Sequence, residues 1–176
     1  MLTKEQIKQY QEDGFVIPDF KMSENDLLEI EEKHNQLINK FPEYKNYCPA
    51  VLLKDESFLK YCLNDKILDF VEQLLGNNFA LWNSSFFAKP AHNGFETPWH
   101  QDGQYWPINP LATCTVWLAI DDATEENGCL RFIKGSHKDK KLKDHSRNNK
   151  KNLTLHQELN KNEYDISKSV NLLLKR

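Results

Sequence analysis

Apolar positions in the first 76 residues recur at helical spacing, with polar starts and glycine stops between them. Thr3 followed by Gln6 is a capping-box pattern, and Gly14 closes the short helix it opens. FVIPDF, residues 15–20, reads as an extended entry segment. Ser23 with Asp26 then starts a longer helix, with Leu27, Leu28, Ile30, His34, Leu37 and Ile38 near one face. A third helix is predicted from about Asp65 to Leu75, with Gly76 as its stop. No helix carries a cluster that looks chemical, so residues 1–76 read as a helical wrap packed on something else.

After Gly76 the period shortens. NFALWNSSFFAK (78–89) is rich in aromatics and reads as a strand. ATCTVWLAI (112–120) is a β-branched and aromatic run of strand length, and CLRFI (129–133) follows it across the Asn127–Gly128 turn. From Lys134 to Ser169 the chain is strongly polar, and KDKKLKDHSRNNKK (138–151) reads as a solvated surface excursion or a basic docking face. Helices followed by short strands predict an α+β chain whose sheet part is antiparallel, in a single domain over 1–176.

Composition narrows the class. A formal net charge of −3 gives no general pull toward nucleic acid or a membrane surface. No apolar run approaches the roughly 20 residues that a membrane helix needs, and MLTKEQIKQYQ is not a signal peptide. Cys48, Cys62, Cys114 and Cys129 lie far apart without zinc spacing, which fits reduced thiols in a cytoplasmic protein. Nothing in the sequence fixes an oligomeric state.

The chemistry concentrates in TPWHQDGQYW, 97–106. On an extended backbone His100 and Asp102 point to one side, about 6.6 Å apart along the strand. On a helix the same spacing would turn them about 200° apart, and Pro98 and Gly103 also disfavour helix. An imidazole and a carboxylate on one face are two-thirds of the 2-His-1-carboxylate set that holds ferrous iron with open positions. Zinc would accept the same donors, yet the helical H-E-x-x-H and cysteine-containing sets are absent. The bare triplet is a weak sign by itself, and a surface ion pair would explain it.

The longer strings resolve that choice. WHQDGQYWP, followed by TVWLAIDDATEENGCLRFIKGSHK, closely resembles the phytanoyl-CoA dioxygenase family of Fe(II)- and 2-oxoglutarate-dependent oxygenases. The likeness is strong over about residues 79–138 and looser at YQEDGFVI, 10–17. It implies a double-stranded β-helix, the cupin-like jelly roll, with helices 1–76 packed on a barrel portion 77–176. It also implies His100 and Asp102 as iron ligands, Gln101 and Trp117 at the 2-oxoglutarate pocket, and Trp82 and Lys89 facing the same cavity. Tyr105 and Trp106 would wall the substrate. Without the resemblance, Trp82, Trp106 and Trp117 read as core aromatics.

By the same likeness, the carboxylate at 102 favours hydroxylation over halogenation, and the partners are a small organic metabolite and molecular oxygen. The Lys-rich segment 138–151 could form a lid near an anionic substrate such as a CoA ester. The family's third ligand, a later histidine, and the arginine that grips 2-oxoglutarate are not matched in this chain. His137 matches a position that is not a ligand, and His145 and His156 match nothing. Arg131 reads as a structural or substrate-side charge, and Arg176 falls in the wrong strand order for the cofactor arginine. The expectation is a truncated enzyme lacking its last strands and weak in iron and 2-oxoglutarate binding by itself. Two alternatives stay open: a metal-binding cupin of another reaction class, and a non-catalytic fragment.

Overall fold

Local capping sets where each helix begins and ends. The computed structural model describes all 176 residues. In α1 (Lys4–Asp13) the Gln6 N–H donates to Thr3 Oγ1 at 3.2 Å, and the Thr3 N–H donates to Gln6 Oε1 at 2.9 Å. This is the expected reciprocal cap. Gly14 takes φ of 90°, which lets its N–H reach the Tyr10 carbonyl at 2.9 Å. In α2 (Glu24–Lys40) Ser23 Oγ accepts from the Asp26 N–H at 3.1 Å. After a one-turn helix α3 (Leu59–Cys62), Asn64 caps α4 (Asp65–Leu75), which ends on Gly76 as expected.

The main core is built by these helices. Leu27, Ile30 and Leu37 of α2 pack with Met22, Val51, Phe58, Tyr61 and Ile67, around a fully buried Cys48. Leu28, expected to face inward, is 51% exposed. Its neighbour Leu27 lies on the 27-30-34-37 stripe, and the next residue falls about 100° around the helix. His34 does face inward, its ring 4.7 Å from that of Phe86. Burial pushes its pKa down, with only partial compensation from Asp121.

The strand part departs from expectation. Six short strands form three separate antiparallel pairs: β1 (Tyr47–Cys48) with β2 (Phe86–Phe87), β3 (Leu130–Ile133) with β6 (Ser169–Leu172), and β4 (His145–Arg147) with β5 (Gln157–Leu159). The α+β class stands, but no barrel closes. Of the strand expected over 78–89 only Phe86–Phe87 pairs, and 112–120 pairs with nothing. β-rich composition alone makes no strand; a ladder partner has to stand beside it. Leu81, Trp82 and Val116 remain exposed accordingly. CLRFI does form β3, in register Leu130↔Leu172 through Ile133↔Ser169.

The polar stretch is more than a solvated excursion. Residues 138–151 are largely exposed, yet Leu153, Thr154, Leu155 and Leu159 on the returning arm are buried. Glu96 pairs with that arm: its N–H donates to the Asn152 carbonyl at 3.1 Å and its carbonyl accepts from Thr154 at 3.0 Å. The β4–β5 hairpin therefore lies along 96–105, the segment that carries the chemistry. No helix is long and apolar enough to cross a membrane.

Candidate metal centre

Pro98 begins the site. It is buried, and its carbonyl accepts from His100 Nδ1 at 2.8 Å. A carbonyl can only accept, so Nδ1 carries hydrogen and the lone pair of a neutral ring sits on Nε2. Gln101 is extended (φ −109°, ψ 131°), which brings His100 and Asp102 to one side. Asp102 itself opens a single turn of 3₁₀-helix, Asp102–Tyr105, instead of continuing a strand. The two side chains converge: His100 Nε2 lies 3.2 Å from Asp102 Oδ1.

That contact carries a chemical demand. Two acceptors face each other unless a cation joins them, either a proton on Nε2 or a metal ion. Burial alone pushes the His100 pKa down; the hydrogen bond to Asp102, that to Pro98 and the carboxylate charge outweigh it, and the net direction is up. Burial pushes the Asp102 pKa up, and His100, then Thr115, more than reverse it, so the net direction is down. Asp102 keeps 44% of its side-chain surface, so its free edge is reachable from solvent.

Neighbouring elements complete the surroundings. Thr115 Oγ1 donates to Asp102 Oδ2 at 2.9 Å, which leaves Oδ1 for His100. Sequence reading passed over Thr115, although it lies two residues before Trp117 in the same run. The Tyr105 ring meets His100 edge-on at 5.9 Å. Its hydroxyl donates to the Gln157 carbonyl at 2.7 Å and accepts from the Gln157 N–H at 3.0 Å. Tyr47 is a second residue the sequence did not flag. Burial, then the nearness of Tyr105 and Asp102, raises its hydroxyl pKa. At Gly103 a side chain would lie 3.2 Å from Leu111 Cδ1, so glycine permits the close approach of 111.

The other expected site residues are less tightly gathered. The Gln101 side chain is engaged elsewhere: Nε2 donates to the Lys141 carbonyl at 3.1 Å and Oε1 accepts from the Lys143 N–H at 2.7 Å. Lys89 Nζ donates to the Phe95 carbonyl at 3.3 Å, and its stem covers Gly128. Burial lowers its pKa, offset in part by Glu96. Trp82 and Trp117 are 56% and 37% exposed, and Trp106 makes no side-chain hydrogen bond.

The remaining charged residues have other employment. His137 Nε2 donates to the Gln11 carbonyl at 3.0 Å, at the end of α1. His156 lies by the Asn148 carbonyl, and His145 Nε2 accepts from the Gln101 N–H at 3.1 Å. Arg131 stands over the Trp99 ring at 5.2 Å and donates to Ser169. Arg176 pairs with Glu24 and Glu31 of α2. No third His, Cys, Asp or Glu joins His100 and Asp102 in a metal-binding group. A cavity of about 320 Å³ between α1, α4 and the His137 turn lies away from this pair; the donor geometry, not the cavity, marks the candidate centre.

Comparison with known proteins agrees with the motifs. The family model for phytanoyl-CoA dioxygenase (PhyH) matches residues 1–176. The peroxisomal phytanoyl-CoA dioxygenase of Mus musculus is 29% identical over 164 residues, covering 78% of this chain and 48% of the mouse protein. The Homo sapiens counterpart is 28% identical with the same coverage. A Dictyostelium discoideum phytanoyl-CoA dioxygenase domain-containing protein 1 homolog is 38% identical over 80 residues, 46% of this chain and 28% of that protein. The chain spans about half the length of the mouse and human relatives it matches. With a family model matched along its whole length, the chain belongs to the phytanoyl-CoA dioxygenase family.

Proposed function

We propose that this chain carries two of the iron ligands of an Fe(II)- and 2-oxoglutarate-dependent dioxygenase that hydroxylates a small organic metabolite, with succinate and carbon dioxide as co-products. The observation that supports it most is the facing of His100 Nε2 and Asp102 Oδ1 at 3.2 Å, with Nδ1 already committed to Pro98. A neutral imidazole nitrogen and a carboxylate oxygen suit ferrous iron, and the fixed Nδ1 hydrogen sets the tautomer a metal needs. The family match over 1–176 supports reading the chain as one domain, and a jelly-roll barrel as its family architecture.

Bound there, the metal would supply oxygen activation and the oxidising power for attack on a C–H bond. The chain's own residues hold and orient. Thr115 fixes the Asp102 carboxylate through Oδ2 and leaves Oδ1 to bind. The Tyr105 ring stands T-shaped to the His100 ring at 5.9 Å and would help to hold its orientation. On this reading Tyr105 and Trp106 would wall the substrate, and Gln101, Trp117, Lys89 and Trp82 would face 2-oxoglutarate. Oxygen and a small molecule are the partners on this reading, with a cytoplasmic location.

The lack of a third donor beside the pair favours one second reading, a family module without turnover of its own. Two experiments separate them. Anaerobic Fe(II) titration is expected to broaden the NMR signals of His100 and Asp102, and His100→Ala or Asp102→Ala should abolish that; binding indifferent to both substitutions refutes the metal assignment. Succinate formed only with added 2-oxoglutarate supports the oxygenase; iron bound without succinate supports the module.

A further inference from the structure

Three hydrogen bonds fasten the basic segment 138–151 to the middle residue of the metal triplet. The Gln101 N–H donates to His145 Nε2 at 3.1 Å, Gln101 Nε2 donates to the Lys141 carbonyl at 3.1 Å, and the Lys143 N–H donates to Gln101 Oε1 at 2.7 Å. His145 has no freedom in this role: its Nδ1 donates to the Lys143 carbonyl at 2.8 Å, so Nε2 is the acceptor. Gln101 sits between the two donors, and its side chain is held by the segment.

We infer that His145 and Gln101 form a clasp, and that His145 is a positioning residue which sets the separation of His100 and Asp102. The inference rests on the metal reading above. The Gln101 amide belongs to the peptide plane joining residues 100 and 101. Pinning that N–H fixes the plane, and with it the torsions that decide where His100 and Asp102 point. Outer partners of this kind orient the groups that touch a metal.

The clasp is not needed to dock the hairpin. The hairpin has its own attachments: the bonds at Glu96, Leu159 N–H to the Trp99 carbonyl at 2.8 Å, Tyr105 on Gln157, and the burial of Leu153, Leu155 and Leu159. Loss of the imidazole acceptor therefore leaves the hairpin in place and the Gln101 side chain held by residues 141 and 143, and frees the Gln101 N–H and its peptide plane. His145, which neither spacing nor family likeness selects, acquires its role through a contact 44 residues distant in sequence.

The test compares His145→Leu, which removes the acceptor, with His145→Gln, whose Oε1 stands near the place of Nε2. Anaerobic Fe(II) titration is followed by paramagnetic broadening at His100, and amide exchange is followed at Gln101, Thr154 and Leu159. His145→Leu is expected to weaken Fe(II) binding about 10- to 100-fold and to expose the Gln101 amide, with Thr154 and Leu159 still protected. His145→Gln restores both. Unchanged affinity and exchange in His145→Leu, no rescue by glutamine, or a loss of affinity seen only with loss of protection at Thr154 and Leu159 overturns the clasp. No Fe(II) binding by the unmodified chain, with Gln101 protection still lost in His145→Leu, sinks the metal reading and leaves the clasp standing.

Discussion

Replacing Asp102 with asparagine in the metal-free chain should change how stability depends on pH. The imidazole and carboxylate stand 3.2 Å apart. At an effective dielectric of about 20, such a pair attracts by about 5 kcal/mol. Asp102 keeps 44% of its side-chain surface, and water screening cuts the net contribution to about 1 kcal/mol. The folded pKa of His100 is raised and that of Asp102 lowered. His100 thus contributes stability that is full below its unfolded value, about 6.5, and lost as pH rises through the folded value. Asp102 contributes stability present above its unfolded value, about 3.9, and lost as pH falls through the folded one. The pair is worth most between those two values.

Asparagine reverses the preference at His100. Its amide donates to the neutral Nε2 and opposes the imidazolium, while its oxygen still accepts from Thr115. Urea unfolding of the chain and of Asp102→Asn, near pH 5 and again near pH 8, isolates the effect because other titrations cancel in the difference. The deficit of Asp102→Asn should be about 1 kcal/mol at the lower pH and vanish or change sign at the higher one. A deficit that stays level across this range would refute the pairing.

Other substitutions probe the supports. Thr115→Val removes a solvent-exposed hydrogen bond to a carboxylate and should cost about 1 kcal/mol in urea unfolding, with most of it regained by Thr115→Ser. Gly14→Ala forces a side chain into φ of 90° and within 2.7 Å of His137 Nδ1. A loss of at least about 1 to 2 kcal/mol is expected in thermal unfolding, and a neutral result would displace His137 from α1. Phe58, 3% exposed between Tyr61 and Phe86, should cost about 3 to 5 kcal/mol as Phe58→Ala, read as a fall in the urea midpoint. Thr3→Ala should lose about 1 kcal/mol through the cap, measured in the same way.

What could be read directly from the sequence is what short-range forces decide. The cap at Thr3, the stops at Gly14 and Gly76 and the inward stripe of α2 each depend on residues within one or two turns. The turning of His100 and Asp102 to one side is equally local, since one extended residue at Gln101 produces it, although the bond from His145 that holds this conformation is not. Long-range pairing is what the pattern could not supply. Residues 112–120 have strand composition, but pairing depends on what lies alongside, and nothing in their own order states that. The exposure of 138–151 was legible from its charge, whereas the arm that follows hides its packing: Leu153, Leu155 and Leu159 lie among polar residues, and their burial is defined only against residues 96–105. Thr115 reaches the site through the same kind of contact; it opens the string 115–138, but nothing in that string marks it as the partner of Asp102.

The division of labour between the halves has an energetic consequence at the site. The main apolar cluster is built from residues before 77, by α2, α4 and the turns between them. From residue 99 to 122 no residue is buried, and this span includes His100, Asp102, Thr115 and Trp117. Leu118 and Ile120 anchor its far end on the main cluster, and around the triplet its order comes from hydrogen bonds to Gln101, Asp102 and Tyr105, each worth about 1 kcal/mol net. Such a segment opens locally at far lower free energy than the helical core. A ligand that binds only the closed arrangement must first select it, so its apparent affinity falls by the fraction of closed chains. Each bond from 115 or 145 to the triplet, and from 157 to Tyr105 beside it, therefore acts on binding as well as on folding, even where the bonding group never meets the ligand. Amides at Gln101 and Leu159 should accordingly exchange faster than those of α2 in the free chain and slow more than α2 does on metal addition. Equal protection in the free chain would show that the site is already as rigid as the core and that preorganisation has nothing left to gain.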